Sequence, residues 1–265
     1  MFTKNALLGD HNICFYPSTK QKYNMLFSNL KAGLDQGCSG LYVASEESIE
    51  PIQLEMKKFG LETSDPTKLR SITSYQFYAP DGEFHIENAV EHLICTLDES
   101  LDKGFEGLYI SADVSKFFDE IVKKGITDLW LEYERIMDRK TLLPLERMCA
   151  YHVDQIKSDD QLFFELIQSH QNTLSTKLEL INNEEICRTT IREELDKIVG
   201  EQATEYILCY LEKSLKIPRD QILANVIEFN QGLEIILGDG ALSIEKHILK
   251  KLQNKLEIKM SVQIA

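Results

Sequence analysis

The chain has 265 residues, of which 43% are hydrophobic and 27% charged, and its formal net charge is −14. This length and hydrophobic content suffice for a buried core, either in one large domain or in a larger domain and a smaller one. No stretch approaches about 18 uninterrupted apolar residues, which excludes a membrane-spanning helix. The N-terminal residues lack the apolar segment of a secretory signal, so we expect a cytoplasmic protein. The excess of acidic over basic residues, 43 against 29, argues against nucleic acid as the main partner.

The first two-thirds of the chain alternates segments of strand and helix character. Runs rich in branched and aromatic residues predict five strands, over residues 11–16, 40–45, 69–77, 107–112 and 145–153. Helical spacing of apolar residues is clearest over residues 86–101, and Leu26, Leu30 and Leu34 repeat at every fourth position before Gly37. This alternation predicts an α/β fold with a mostly parallel sheet and helices on both faces.

The last third of the chain shows helical periodicity, and from Leu174 onward no convincing strand is predicted. Apolar residues at helical spacing form faces within residues 203–215, 226–236 and 242–256. We therefore predict two domains, an α/β domain over residues 5–176 and a small all-helical domain over residues 177–265. A helical connector around residues 174–186 is expected to join them.

The segment after the first predicted strand, residues 16–22, is where a nucleotide-binding α/β protein places its phosphate loop. Such a loop needs glycines so that backbone N–H groups can surround the phosphates, and a Lys followed by Ser or Thr for magnesium. Here no glycine occurs between Gly9 and Gly33, and Gln21 follows Lys20. Three polar side chains could still meet an anion at the helix N-terminus: Ser18, Thr19 and Lys20. The alternative is that one of the two hydroxyl groups only caps the helix.

Acidic residues follow two of the predicted strands. Glu46 and Glu47 come after the second strand, and Asp113 follows the fourth. Open α/β sheets bind ligands outside the carboxyl ends of their strands. We therefore predict a ligand-binding site formed by Tyr16, Ser18, Thr19, Lys20, Glu46 and Asp113. The alternative for each carboxylate is that it stands at the entry of the next helix.

A stripe of possible metal ligands lies on the predicted helix over residues 86–101. It consists of His85, Asn88, His92, Cys95 and Glu99. Imidazole, thiolate and carboxylate groups can bind a transition metal, but this stripe lies opposite the apolar face, so an exposed amphipathic helix explains it without a metal. We expect no resident metal or cofactor, with ATP and magnesium as the alternative.

Catalytic residues are not indicated either. The six cysteines are scattered without a CxxC pair, which is neither a disulfide framework nor a zinc ribbon and is typical of a reducing compartment. No GxSxG nucleophile elbow occurs. We therefore expect a protein that is not an enzyme.

The order of several features along the chain matches a known pattern. They are His11, Cys14 and Tyr16; the segment Ala32-Gly33-Leu34-Asp35-Gln36-Gly37; Leu41-Tyr42-Val43; Gly82-Glu83-Phe84; Tyr133-Glu134; Met148-Cys149-Ala150-Tyr151; and His170. Over roughly residues 5–176 this order resembles the MEDS domain, a sensory domain named for methanogen and methylotroph proteins and for the DcmR regulator. The resemblance implies a degenerate relative of the RecA/KaiC-type ATPases, whose phosphate loop has here lost its glycines. The C-terminal part, with Gly200-Glu201, Phe229 and residues 237–241, is similar to small helical output domains of archaeal signalling proteins.

These observations lead to three hypotheses about function. The first is a non-enzymatic signal-transduction protein that senses an unknown small molecule or signalling protein at the carboxyl edge of its sheet and relays this to its C-terminal helices. The alternative is a KaiC-like nucleotide binder or weak ATPase, in which Ser18, Thr19 and Lys20 form an unorthodox phosphate site. The third is an assembly module that dimerises through the apolar faces at residues 203–215 and 242–256. A homo-oligomer is expected, and neither a membrane nor nucleic acid is expected as a partner.

Overall fold

The fold consists of a seven-stranded sheet flanked by helices, followed by a group of further helices. It is seen in a computed structural model that describes residues 9–45, 49–62, 65–138, 143–156 and 159–258. The strands are β1 (His11–Tyr16), β2 (Ser39–Ala44), β3 (Leu69–Thr73), β4 (Leu108–Asp113), β5 (Leu145–His152), β6 (Asn172–Leu174) and β7 (Leu180–Asn182). The helices are α1 (Thr19–Asp35), α2 (Glu50–Phe59), α3 (Ser74–Tyr78), α4 (Ile86–Asp102), α5 (Ser115–Lys123), α6 (Thr127–Asp138), α7 (Val153–Ile156), α8 (Asp160–Gln168), α9 (Asn183–Val199), α10 (Glu201–Leu215), α11 (Arg219–Ala224), α12 (Val226–Leu237) and α13 (Ala241–Lys255).

The strand order in the sheet is β3-β2-β4-β5-β1-β6-β7. Every neighbouring pair is parallel except β6 and β7, which are antiparallel. The carboxyl ends of β1, β2, β4 and β5 therefore meet along one edge. The predicted fold class, a mostly parallel α/β sheet with a helical C-terminal region, is confirmed.

The two faces of the sheet carry separate sets of buried residues, because successive side chains of a strand point to opposite faces. In β1, Ile13 and Phe15 belong to a large hydrophobic cluster that includes residues of α4, α5, α6 and α8. Cys14 and Tyr16 face a smaller cluster that contains Leu26 of α1. Each site described below lies on one of these two faces.

The C-terminal helices share the larger of the two clusters with the sheet. Leu208 of α10, Phe229 of α12 and Leu252 of α13 are fully buried members of it. Most apolar residues of the faces at 203–215 and 242–256 thus pack within the chain, although Leu242 is 54% exposed. Since these faces are mostly buried within the chain, they give no reason to expect a dimer. The homo-oligomer and the division into two domains stay predictions.

Two predicted segments differ from the structure. The predicted strand over residues 69–77 ends at Thr73, because Thr73 and Gln76 form a capping box that starts helix α3. The predicted helical connector over residues 174–186 is wrong: residues 172–174 and 180–182 pair as the hairpin β6–β7, and α9 begins at Asn183, capped by Asn182. Strands of three residues are too short to show a period in the sequence. The predicted boundary between residues 176 and 177 falls inside this hairpin.

Candidate functional site

A buried cluster of polar side chains lies at the carboxyl edge of the sheet. It is called the Asp113 cluster here and consists of Tyr16, Lys22, Ser45, Asp113 and Ser115. Lys22 Nζ lies 2.6 Å from Asp113 Oδ2, to which Ser45 Oγ also donates at 2.6 Å. Tyr16 and Ser115 donate their hydroxyl hydrogens to Asp113 Oδ1, at 3.0 and 2.7 Å. The carboxylate thus receives hydrogen bonds from residues of β1, α1 and α5 and from the residue that follows β2.

The charges of this cluster balance each other. Burial by itself raises the pKa of Asp113, but the Lys22 ammonium and the hydrogen bonds from Lys22, Ser115 and Ser45 outweigh it and hold that pKa below its ordinary value. Burial and the neighbouring Asp113 carboxylate raise the pKa of Tyr16. The site therefore holds an ionised Lys–Asp pair and a neutral tyrosine.

Of the five predicted ligand-binding residues that the structure describes, Tyr16 and Asp113 lie together. Ser18, Thr19 and Lys20 are exposed at the start of α1. Ser18 is the N-cap of α1 and its Oγ accepts a hydrogen bond from Gln21 N, so the capping alternative is confirmed for Ser18. Glu46 lies outside the described residues.

The lysine that reaches the site is Lys22, which the sequence reasoning did not choose. Lys22 is 4% exposed, and it precedes Leu26 and Leu30 by one and two turns on the buried face of α1. A helical side chain points back towards the N-terminus of its helix, which carries the Lys22 ammonium to the sheet edge. The same four-residue spacing that predicted α1 could have identified Lys22 as its inward-facing cation.

A second polar group lies beneath α1, in the middle of the sheet. Glu146 of β5 is fully buried and accepts hydrogen bonds from Asn12 Nδ2 at 2.7 Å and from Asn29 Nδ2 at 2.8 Å. Burial raises the pKa of Glu146 to about 8, against the opposing effect of the two amide hydrogen bonds. This group ties α1 to β1 and β5.

A third polar group lies on the opposite face of the sheet. It is called the His/Cys cluster here and consists of His11, Glu134, Cys149 and His170, all of them buried. His11 Nε2 lies 3.3 Å from Glu134 Oε2 and 3.4 Å from Cys149 Sγ. His170 Nε2 lies 3.7 Å from Glu134 Oε2, and the centroids of the two imidazole rings are 4.0 Å apart, with the ring planes tilted by 35°. These four side chains come from β1, α6, β5 and the short segment between α8 and β6.

Burial decides the ordinary protonation of this cluster. It lowers the pKa of His170 to about 3 and that of His11 well below 6.5, so both rings are neutral. It raises the pKa of Cys149 and of Glu134. Each neutral imidazole therefore has one ring nitrogen with a lone pair that can bind a ligand.

The possible metal ligands on and just before α4 do not come together around a common point. His92 Nδ1 lies 3.1 Å from the carbonyl oxygen of Phe77, and Glu99 forms an ion pair with Arg70 at 2.9 Å. Within the described ranges, the His/Cys cluster is the set of histidine, cysteine and acidic residues whose ligand atoms come within 4.8 Å of one another.

An open groove of about 1090 Å³ lies between the sheet and the C-terminal helices. Its walls come from the end of α8, the hairpin β6–β7, the start of α9 and the end of α11. His170 of the His/Cys cluster is one of its lining residues, as are Asn183, Ala224 and Asn225. The groove is thus bounded by residues on both sides of the predicted domain boundary.

Comparison with protein-family models gives a match over the α/β part of the chain. The family model described as "MEthanogen/methylotroph, DcmR Sensory domain" (MEDS) matches residues 10–171, which is more than half of the chain. It begins one residue before β1 and ends one residue before β6. No curated protein matches the chain. None of the helices in the described residues is both long and apolar enough to cross a membrane.

Proposed function

Since this chain belongs to the MEDS family of sensory domains, we propose that its α/β part binds a small polar ligand and relays that binding to the C-terminal helices. The protein acts as a sensor and regulator and not as an enzyme. The groove between the sheet and the C-terminal helices carries this proposal, because a ligand in it touches both parts at once.

The absence of a working phosphate site supports a role without catalysis. The segment over residues 16–22 contains no glycine, so its backbone cannot wrap around phosphates as a glycine-rich loop does. The buried cation, Lys22, pairs with Asp113 at 2.6 Å. The charge of this buried ammonium is thus already balanced by a carboxylate within the chain.

The charges of the groove define the kind of ligand that fits. Six carboxylate side chains line it: Asp10, Asp138, Glu165, Glu179, Glu184 and Glu185. Its one arginine among the described lining residues, Arg135, pairs with Glu165 at 2.7 Å. Such a field attracts cations and repels anions. A cationic or neutral polar molecule is therefore favoured over a nucleotide or a carboxylate.

A relay is supported by the way α9 is attached. Asn183, its first residue, donates from Nδ2 to the carbonyl oxygens of Ile167 and His170 at 3.0 and 2.9 Å. Its Oδ1 accepts from Thr173 Oγ1 at 2.7 Å. These bonds join the end of α8 and strand β6 to α9, which in turn packs against α10, α11 and α13. A ligand that moves the end of α8 thus moves the C-terminal helices.

The test is a thermal-shift screen of the full chain against alkylamines, polyols, inorganic phosphate and Mg-ATP. A ligand at 100 times its Kd adds about 2.7 kcal/mol to the free energy of unfolding. We expect an amine or a polyol to raise the Tm, and Ala224→Phe, which places a phenyl ring in the groove, to reduce that increase. Ala203→Phe, at a half-buried position on α10 outside the groove, is the matched control and keeps it.

Other results of the same screen separate the alternatives. A rise in Tm with Mg-ATP alone that Lys20→Ala removes would contradict the proposal and support the nucleotide binder. Stabilisation by an amine that survives Ala224→Phe but is lost in Tyr16→Phe would move the ligand to the carboxyl edge of the sheet, the site predicted from the sequence.

A further inference from the structure

We propose that the His/Cys cluster is a zinc site in which His11, Glu134, Cys149 and His170 bind one Zn²⁺ ion. Two imidazoles, a thiolate and a carboxylate are all ligand types that zinc takes in proteins, and four of them complete a tetrahedral structural site. This proposal departs from the expectation of no resident metal and is independent of the proposed ligand in the groove.

The distances between the donor atoms match a tetrahedral site. Zn–N and Zn–O bonds of about 2.0–2.1 Å and a Zn–S bond of about 2.3 Å place tetrahedral ligand atoms about 3.3–3.7 Å apart. The distances from Glu134 Oε2 are 3.3 Å to His11 Nε2, 3.7 Å to His170 Nε2 and 3.9 Å to Cys149 Sγ. Cys149 Sγ lies 3.4 Å from His11 Nε2. Three of these four distances lie within that range and the fourth exceeds it by 0.2 Å. All four ligand atoms lie within 4.8 Å of one another, so small shifts of the side chains would complete a tetrahedron.

His170 provides a second, independent observation. Its side chain is 0% exposed, and its Nε2 has no hydrogen-bond partner within the part of the chain that the structure describes. Its Nδ1 lies 2.7 Å from the carbonyl oxygen of Leu166, which accepts the ring hydrogen. The lone pair is therefore on Nε2, directed at the cluster, as in histidines that bind metals. A buried polar atom without a partner is costly, and a metal ion satisfies this one.

The surroundings of the cluster hold the carboxylate in place. Tyr151 donates its hydroxyl hydrogen to Glu134 Oε1, and Trp130 Nε1 donates to the Tyr151 oxygen at 2.8 Å. Such outer hydrogen bonds orient metal ligands and increase their affinity. This leaves Oε2, the atom nearest to both histidines, as the metal-binding oxygen.

The charges of the cluster suit a divalent ion. In a zinc site, the Cys149 thiolate and the Glu134 carboxylate would supply two negative charges that neutralise the ion. The nearby Arg147 is buried and donates to the carbonyl oxygen of Met137, and its guanidinium interacts electrostatically with Cys149 and Glu134 of the cluster as well as with Asp138. The ion would join β1, β5, α6 and the short segment between α8 and β6, and through His170 it would brace the wall of the groove.

The first experiment measures the metal content of the full chain by mass spectrometry after purification and after dialysis against Zn²⁺. We expect one zinc ion per chain. With Co²⁺ in its place, we expect the strong visible bands of a tetrahedral site and a thiolate-to-cobalt charge-transfer band. Cys149→Ser should lose that charge-transfer band and bind zinc at least tenfold more weakly. Cys14→Ser, a buried cysteine on the other face of the sheet, is the matched control and should keep both.

A milder variant keeps the proposal testable if Cys149→Ser fails to fold. Tyr151→Phe removes only the hydrogen bond to Glu134 and should lower zinc affinity by about 10- to 100-fold, as measured by competition with a chromogenic chelator. The proposal is overturned if the wild-type chain binds less than one equivalent of zinc and cobalt shows no thiolate charge-transfer band. It is also overturned if Cys149→Ser, folded by circular dichroism, binds zinc as tightly as the wild type.

Discussion

Two lysines that lie two positions apart in α1 have opposite surroundings. Lys22 is buried and paired with Asp113, whereas Lys20 is exposed. A phosphate-loop analogy singles out Lys20, but the helical position relative to Leu26 decides which ammonium reaches the sheet. For these two lysines, burial and the charged partner decide the contribution to stability, and the position in a sequence motif does not.

Lys22→Met should lower the free energy of unfolding by about 3–5 kcal/mol, because it leaves the Asp113 carboxylate buried without its cation. Lys20→Met, the matched control, should change it by less than about 0.5 kcal/mol. Urea denaturation of both variants measures the difference. Equal midpoints for the two variants would show that the Lys22–Asp113 pair contributes nothing to stability.

Glu146 should make stability fall as pH rises. Its pKa is about 8 in the folded chain against an ordinary value of 4.5, so the unfolded state loses its proton first. The free energy of unfolding should therefore decrease by about 1.4 kcal/mol per pH unit within that window.

Glu146→Gln should remove this contribution, so that its stability relative to the wild type increases from pH 5 to pH 8. Chemical denaturation at both pH values tests it. Glu132→Gln, at an exposed position of α6, is the control and should follow the wild type. A constant difference between Glu146→Gln and the wild type would contradict the raised pKa.

The position of helix α1 on the sheet depends on a close contact between its Gly33 and strand β4. Gly33 lies against the ring of Tyr109 on β4, and a Cβ atom at position 33 would overlap that ring. Glycine inside a helix ordinarily costs about 1 kcal/mol relative to alanine. Its presence here is explained by the contact, which lets α1 lie close on the sheet.

Gly33→Ala should therefore destabilise the protein by about 1–3 kcal/mol, opposite in sign to its helix propensity, because the methyl group overpacks the interface. Gly240→Ala is the control, since its φ of −67° suits alanine and a Cβ there meets only ordinary contacts. It should be neutral. Thermal unfolding of both variants provides the comparison, and an increased Tm for Gly33→Ala would refute the close approach.

For the whole molecule, the shared hydrophobic cluster predicts cooperative unfolding. Buried residues from Ile13 in β1 to Leu252 in α13 belong to this one cluster, so the two predicted domains should unfold together. Trp130, the single tryptophan, is fully buried in the α/β part. The helices after β7 contain no tryptophan, but they contribute to the circular dichroism signal.

Tryptophan fluorescence and far-UV circular dichroism should therefore give coincident urea transitions. Two separate midpoints would instead show that residues 177–265 fold independently of the sheet, as the two-domain prediction implies. The same measurement with and without Zn²⁺ should shift both curves equally if the ion binds only the folded chain.

The sequence by itself determined the fold class and the main strands and helices, because each depends on residues a few positions apart. The family was also recognisable from the sequence, because it is identified by the order in which features from His11 to His170 occur along the chain. Only the tertiary structure decided that Lys22 meets Asp113, that residues 172–182 form a hairpin, and that His11, Glu134, Cys149 and His170 converge. Strand order and register bring such side chains together from distant segments of the chain. The spacing of residues within one segment contains no information about these contacts.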